Sequence, residues 1–167
     1  MNKQLLLMRH SEAEDFRTTD FERRLSKQGL KQASAMAEML NNIDNAPDAV
    51  LHSAARRTTQ TAQQLRASLT QKTAVIIPEM ALYNAPPEII AETIQATDLS
   101  ENVQRLLVIA HNPGISWLAT TCGWNDRSGL YFPPAGIAAF ELNIHAWADF
   151  VPQCCRYLFF KTPESDL

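Results

Sequence analysis

Leu5-Leu6-Leu7-Met8 is an unbroken apolar run that stops at Arg9 and His10. Its length and position predict a buried strand, although periodicity alone would also allow a helix. After a polar stretch, Ser26 is placed to cap a helix whose apolar stripe runs through Leu30, Ala33, Met36, Ala37 and Leu40 and which ends at Asn41-Asn42. Ala49-Val50-Leu51 is a second strand, and Ser53 is expected to cap a second helix reaching about Leu69, with Leu65 and Leu69 inward and Gln60, Gln63 and Gln64 largely outward. A third strand is predicted at Ala74-Val75-Ile76-Ile77, and a third helix after Pro86-Pro87 through Ile89, Ile90 and Ile94. The clearest strand is Leu106-Leu107-Val108-Ile109-Ala110. A short helix follows from Gly114 through Trp117, Leu118 and Thr121, then strands near Ile137–Leu142 and Tyr157–Phe160. The stretch between Gly123 and Pro134 reads as irregular. Strands alternating with helices predict an α/β protein, a sheet covered on both faces and at least partly parallel, since the early connections are long enough for helical crossovers.

Length and charge narrow the class. A chain of 167 residues suits one domain spanning 1–167 with a single sizeable core. With 46% apolar and 20% charged residues and a net charge of -3, there is no electrostatic case for nucleic acid. The segment Met1–Met8 is too short and too soon interrupted by Arg9 for a signal peptide or membrane span, so a cytoplasmic location is expected. Cys122, Cys154 and Cys155 lack paired spacing and are assigned to packing as reduced thiols.

In open parallel sheets ligands bind beyond the carboxyl ends of strands. Three such ends carry unusual chemistry: Arg9-His10 after the first strand, His52-Ser53 leading to Arg56-Arg57 after the second, and His111-Asn112-Pro113-Gly114 after the fourth. Helical phase separates the two adjacent arginines. Arg57, Thr61, Leu65 and Leu69 share one i, i+4 stripe, whereas Arg56 lies with Gln60, Gln63 and Gln64, so Arg57 should face inward and Arg56 solvent. Two guanidiniums, two imidazoles and a helix N-terminus suit a phosphoryl dianion. In such a site a neutral imidazole can attack phosphorus in line while the cations stabilise the equatorial oxygens. No metal or cofactor is needed. The histidines at 10, 52, 111 and 145 also lack the short spacing of metal-ligand motifs.

The chain resembles the histidine phosphatase superfamily, whose signature is an Arg-His-Gly type motif directly after the first strand. The segments that carry the likeness are Leu7–Ala13, Asp20–Gly29, Ser53–Ala62, Leu82–Ala85 and Val108–Gly114, in family order over most of the first two-thirds of the chain. The branch it looks most like is that of the small SixA-type phosphohistidine phosphatases. The resemblance implies a phosphoglycerate mutase-like, three-layer α/β/α sandwich with a mostly parallel, mixed six-stranded sheet. It implies His10 as nucleophile, Arg9 and Arg57 as phosphate-clamping arginines and His111 as a donor to the transferring group. Arg23, Ser11 and Asn112 are further substrate-binding candidates, with Arg23 equally able to pair with Asp20 or Glu22.

Two departures shape the expected substrate. Ser11 stands where the commonest motif has Gly, which crowds the backbone approach but adds a hydroxyl donor. Asn84 stands where many phosphomonoesterases and mutases of the superfamily carry a proton-donating Glu. An alkoxide leaving group needs that proton more than an imidazole does, so the expected partner is a phosphorylated protein, such as a phosphorelay domain carrying phosphohistidine. Two alternatives stay open: a phosphomonoesterase for a small phosphorylated metabolite, with Glu79 or Glu88 as acid, and a non-catalytic phosphate-binding adaptor. His52 and His145 are read as structural or exposed. Trp117, Trp124, Tyr131 and Phe132 are given no role.

Overall fold

The computed structural model describes residues 2–15, 19–125 and 131–163. Six strands form one sheet: β1 (Lys3–Arg9), β2 (Ala49–Ser53), β3 (Val75–Glu79), β4 (Arg105–Ala110), β5 (Ile137–Leu142) and β6 (Cys155–Lys161), in the order β3-β2-β4-β1-β5-β6. The first four in this order pair in parallel, and β5 and β6 add an antiparallel edge beside β1. The sheet is therefore mixed and mostly parallel, as expected.

Alternation along the central strands divides the core. Leu5 and Leu7 of β1, with Leu106 and Val108 of β4, pack against α3 (Pro87–Ala96) and α4 (Gly114–Thr121). Leu6 and Met8, with Leu107 and Ile109, pack against α1 (Lys27–Asn42) and α2 (Arg56–Ser68). Being buried on both faces is why the β1 run is continuously apolar rather than alternating. Each fully buried leucine contributes about 2 kcal/mol of transfer free energy. No helix among the described residues is long and apolar enough to cross a membrane.

Several local expectations need correction. Leu30 is exposed at 39%, because the buried stripe of α1 runs instead through Gly29, Ala33, Met36, Ala37 and Leu40. Ser53 does not cap α2: it is the last residue of β2, and the chain needs Ala54 and Ala55 to turn, leaving Ala55 at the cap position. Gln60 and Gln64 are half-buried rather than outward, because they reach across to α1 and the segment before it. Gln60 Oε1 accepts the Leu25 N–H at 2.7 Å and Gln64 Nε2 donates to Ser34 Oγ at 2.8 Å. The third strand runs on through Pro78 to Glu79, which a sheet edge permits because Pro there forfeits no ladder bond. Cys122 is buried and Cys155 partly so, but Cys154 is exposed in a short 3-10 turn and packs no core. Of the irregular stretch, residues 126–130 lie outside the described residues. Trp124 and Phe132 flank them and are buried edge to face, 4.7 Å apart, while Trp117 and Tyr131 are about half exposed.

Gly114 marks the tightest approach between the loop after β3 and the start of α4. A Cβ there would lie 1.9 Å from the Ala85 carbonyl oxygen, a backbone atom that cannot swing aside. Gly114→Ala is expected to lower unfolding stability by about 3 kcal/mol, read as an earlier urea midpoint at unchanged slope.

Candidate active site

The parallel half of the sheet delivers three polar ends to one place. His10 follows β1, His111 follows β4, and β2 ends at Ser53 just before α2 brings in Arg57. The His10 main chain is fixed on both sides: its N–H donates to the Ala110 carbonyl at 3.2 Å, and its carbonyl accepts from Ala135 N–H at 3.1 Å. The two imidazole rings stand 5.4 Å apart.

The His10 ring has a defined tautomer. Nδ1 lies 2.7 Å from the Ser11 carbonyl oxygen, which can only accept, so Nδ1 carries the hydrogen and Nε2 of the neutral ring holds a lone pair. That lone pair faces Nε of Arg57 at 3.3 Å. Burial lowers the His10 pKa well below the usual imidazole value, and the neighbouring His111, Arg57 and Arg9 add to the effect against the opposing Ser11 bond. The ring is thus neutral at physiological pH.

Arg57 is 4% exposed and spends its fork in three directions. Nε meets His10, one terminal nitrogen donates to the Asp20 carbonyl at 2.8 Å, and the other donates to Asp20 Oδ2 at 3.2 Å. Thr61, one turn on, donates to the Arg57 carbonyl at 2.7 Å and accepts from the Ser11 N–H at 3.1 Å, tying α2 to the loop behind His10. Arg56 is exposed, as helical phase predicts. Arg9 reaches the Phe132 carbonyl at 3.0 Å, and its buried Nε has no hydrogen-bond partner among the described residues.

His111 is buried, with Nε2 2.7 Å from Ser53 Oγ and Nδ1 without a partner among the described residues. Burial, with Arg57 next, depresses its pKa to about 3. The Tyr83 ring meets His111 edge-on at 5.5 Å, and its hydroxyl donates to Asp20 Oδ2 at 2.6 Å. Asp20 Oδ1 accepts from Arg23 at 3.1 Å. Arg23 and Arg57 pair with the Asp20 carboxylate, and Arg9 lies close enough to Arg57 to feel its charge, so three guanidiniums and one carboxylate leave two positive charges, the complement of a phosphoryl dianion.

The secondary candidates divide. Arg23 pairs with Asp20 and also donates to the Glu14 carbonyl at 3.1 Å, which brings it to the site's margin. The Ser11 hydroxyl is fully buried with no hydrogen-bond partner among the described residues. Asn112 is committed at both ends of its amide, donating to the Phe132 carbonyl at 2.9 Å and accepting from Ser116. It braces the segment that Arg9 grips, and its amide nitrogen keeps a second N–H. His52 is buried against the Ser53 carbonyl, and His145 is exposed beside Glu101. Among the described residues no group of three His, Cys, Asp or Glu is placed to hold a metal ion.

In the sequence Asp20 stands out only as a possible partner of Arg23, Tyr83 carries no assigned role, and Ser53 is placed as a cap. Asp20 precedes Arg23 by three residues, an ion-pair spacing, and Tyr83 sits beside Asn84 in the Leu82–Ala85 segment. Nothing in the spacing foretells that Tyr83 and Arg57 meet at Asp20.

The sequence pattern of the histidine phosphatase superfamily (branch 1) matches residues 5–81, which contain His10 and Arg57. An uncharacterized protein of Mycobacterium tuberculosis is 32% identical over 153 residues, covering 87% of this chain and 92% of that protein. The chain belongs to the histidine phosphatase superfamily. Among solved structures, a candidate SixA phosphohistidine phosphatase from Agrobacterium tumefaciens superposes with a TM-score of 0.79 at 25% identity, covering 96% of this chain and 98% of its own. The protein histidine phosphatase SixA complexed with tungstate gives 0.76 at 23% identity, over 97% and 98% of the two chains. A mycobacterial glucosyl-3-phosphoglycerate phosphatase gives 0.62 at 16% identity, over 97% and 98%. Within the superfamily the chain is thus SixA-like, with a phosphoglycerate mutase-like fold.

Proposed function

We propose that this histidine phosphatase removes phosphate from phosphohistidine on a protein, through a phosphorylated His10 and without a metal ion. The observation that carries the reading is the His10 tautomer: Nδ1–H is held by the Ser11 carbonyl, so Nε2 carries the ring lone pair that attacks phosphorus as Arg57 Nε turns to the phosphoryl oxygens. Arg9 and Arg57 supply fixed positive charge to the phosphoryl oxygens as bonding shifts from leaving group to nucleophile. His111 adds a neutral donor. The Ser53 hydroxyl lies 2.7 Å from His111 Nε2 and has no other acceptor among the described residues, so in this reading it donates to Nε2, which puts the ring hydrogen on Nδ1 for a phosphoryl oxygen. Water then hydrolyses the phosphohistidine, restoring His10.

The leaving group follows from what could protonate it. Glu79 is turned into its own backbone, accepting from Ala81 N–H at 3.3 Å, and Glu88 is exposed in the first turn of α3. Asn84 occupies a left-handed turn position with φ 48°, a geometry Asn tolerates better than Glu. Among the described residues no protonated carboxyl group is placed at the site, since Asp20 is held ionised by Tyr83, Arg23 and Arg57, so a nitrogen leaving group is favoured over an alkoxide. A phosphorylated protein domain in the cytoplasm is the partner that fits.

A phosphohistidine peptide and an alkyl phosphate, assayed side by side in the presence of a metal chelator, test this. The peptide is expected to be turned over with kcat/KM at least ~100-fold above the alkyl phosphate, the scale of a missing general acid. Good cleavage of the alkyl phosphate with the peptide left intact would overturn the assignment.

A further inference from the structure

Asp20 is a carboxylate inside a site otherwise suited to an anion. It is not needed to orient Arg57, because its own backbone carbonyl already takes one Arg57 nitrogen at 2.8 Å. Its carboxylate adds like-charge repulsion toward a phosphoryl dianion, which weakens binding unless it does something else. The side chain of Asp20 is 43% exposed while that of Arg57 is 5% exposed, so Asp20 lies on the solvent side of the guanidinium, the side open to a phosphorylated protein.

The groups facing Asp20 keep it ionised. Tyr83 from the loop after β3, Arg23 from its own segment and Arg57 from α2 hold its pKa well below the usual carboxylate range, with the Tyr83 bond the largest contribution. His111, at the end of β4, feels the same carboxylate but stays neutral. An ionised carboxylate cannot protonate an alkoxide. It can accept an N–H. Oδ1 has one described partner, Arg23, against two for Oδ2, and a carboxylate oxygen accepts two.

A phosphorylated imidazole offers such an N–H on its second ring nitrogen, which takes up a proton near the ordinary imidazole pKa of about 6.5. From the positions of these groups we infer that Asp20 accepts this N–H and holds the substrate's phosphorylated ring in its imidazolium form until the P–N bond breaks, making the site selective for phosphorus–nitrogen bonds. The inference rests on the phosphohistidine reading above. The step balances without proton transfer. A bond forms between His10 Nε2 and phosphorus, the substrate's P–N bond breaks, and its electron pair returns to the leaving nitrogen. That ring departs as neutral imidazole keeping its N–H, while the positive charge passes to the His10 ring, whose Nδ1–H rests on the Ser11 carbonyl.

The test compares N-phosphoimidazole with 4-nitrophenyl phosphate, whose leaving group has no N–H, on wild type, Asp20→Asn and Tyr83→Phe from about pH 5.5 to 9. Wild type should hold its kcat/KM for phosphoimidazole to about pH 8, whereas Asp20→Asn should lose about tenfold per pH unit above about 6.5. Tyr83→Phe keeps the carboxylate and should keep the wild-type profile. A permanently cationic N-methyl-N'-phosphoimidazolium has no N–H, and wild type should cleave it at least ~10-fold more slowly than phosphoimidazole at pH 6, the scale of one lost charge-assisted hydrogen bond. Equal losses on both substrates in Asp20→Asn with an unshifted profile, or equal rates on the two imidazole compounds, would overturn the inference while leaving the phosphohistidine reading intact. Wild type inert toward phosphoimidazole but active on alkyl phosphates would remove that reading, and the role of Asp20 with it.

Discussion

His10→Ala is expected to abolish turnover, with kcat falling by at least ~10⁴-fold on every phosphorylated substrate, because no other imidazole among the described residues is placed to take over as nucleophile. The second imidazole cannot substitute: His111 is tied through Nε2 to Ser53, and its ring centre is 5.4 Å from that of His10. His52 is engaged through Nδ1 with the Ser53 carbonyl at 2.8 Å. Rapid quench with a labelled phosphoryl donor should show an acid-labile, base-stable label on wild type and none on His10→Ala. Far-UV circular dichroism of the variant should match wild type, since only a ring at the end of β1 is removed. Retention of activity within about tenfold would mean that the phosphoryl group is taken by water directly, with His10 as a bystander.

Arg57→Lys should be nearly as damaging, lowering kcat/KM by about 10²–10³-fold despite conserving charge. The reason is directional. Arg57 uses Nε toward His10 and its two terminal nitrogens toward the Asp20 carbonyl and carboxylate, a planar fork that one ammonium cannot reproduce. Arg57 also helps keep His10 neutral, so Arg57→Ala should move the acid limb of kcat/KM to higher pH as the imidazole regains basicity. Arg56→Lys, on the exposed face one residue earlier, is the matched control and should stay within about twofold. Similar losses at both positions would indicate a general electrostatic role for α2 rather than a specific clamp.

The difference between these two arginines is legible in the sequence, because a helix of known phase converts sequence spacing into direction. The buried strands were legible for a related reason: runs such as Leu5–Met8 and Leu106–Ala110 have no polar side chain to point at water. Strand order was not, since nothing local in β1 states that it lies between β4 and β5. Asp20 was hidden more deeply. It sits in a three-residue 3-10 turn, Asp20–Glu22, too short for periodicity, and its partners Arg57 and Tyr83 are 37 and 63 residues away. Ser53 was misassigned because a serine before a helix is usually a cap, and only the extension of β2 to Ser53 turns its hydroxyl toward His111 instead.

The backbone of His10 is gripped by β4 on one side and by Ala135 on the other, at the seam between the parallel and antiparallel halves of the sheet. Attacking atom and architecture are therefore inseparable: no loop movement can retune the nucleophile without tearing the sheet. Divergence toward new substrates must fall on the surrounding turns that carry Asp20, Tyr83 and Phe132, which can be rewritten while the chemistry beneath them is inherited unchanged.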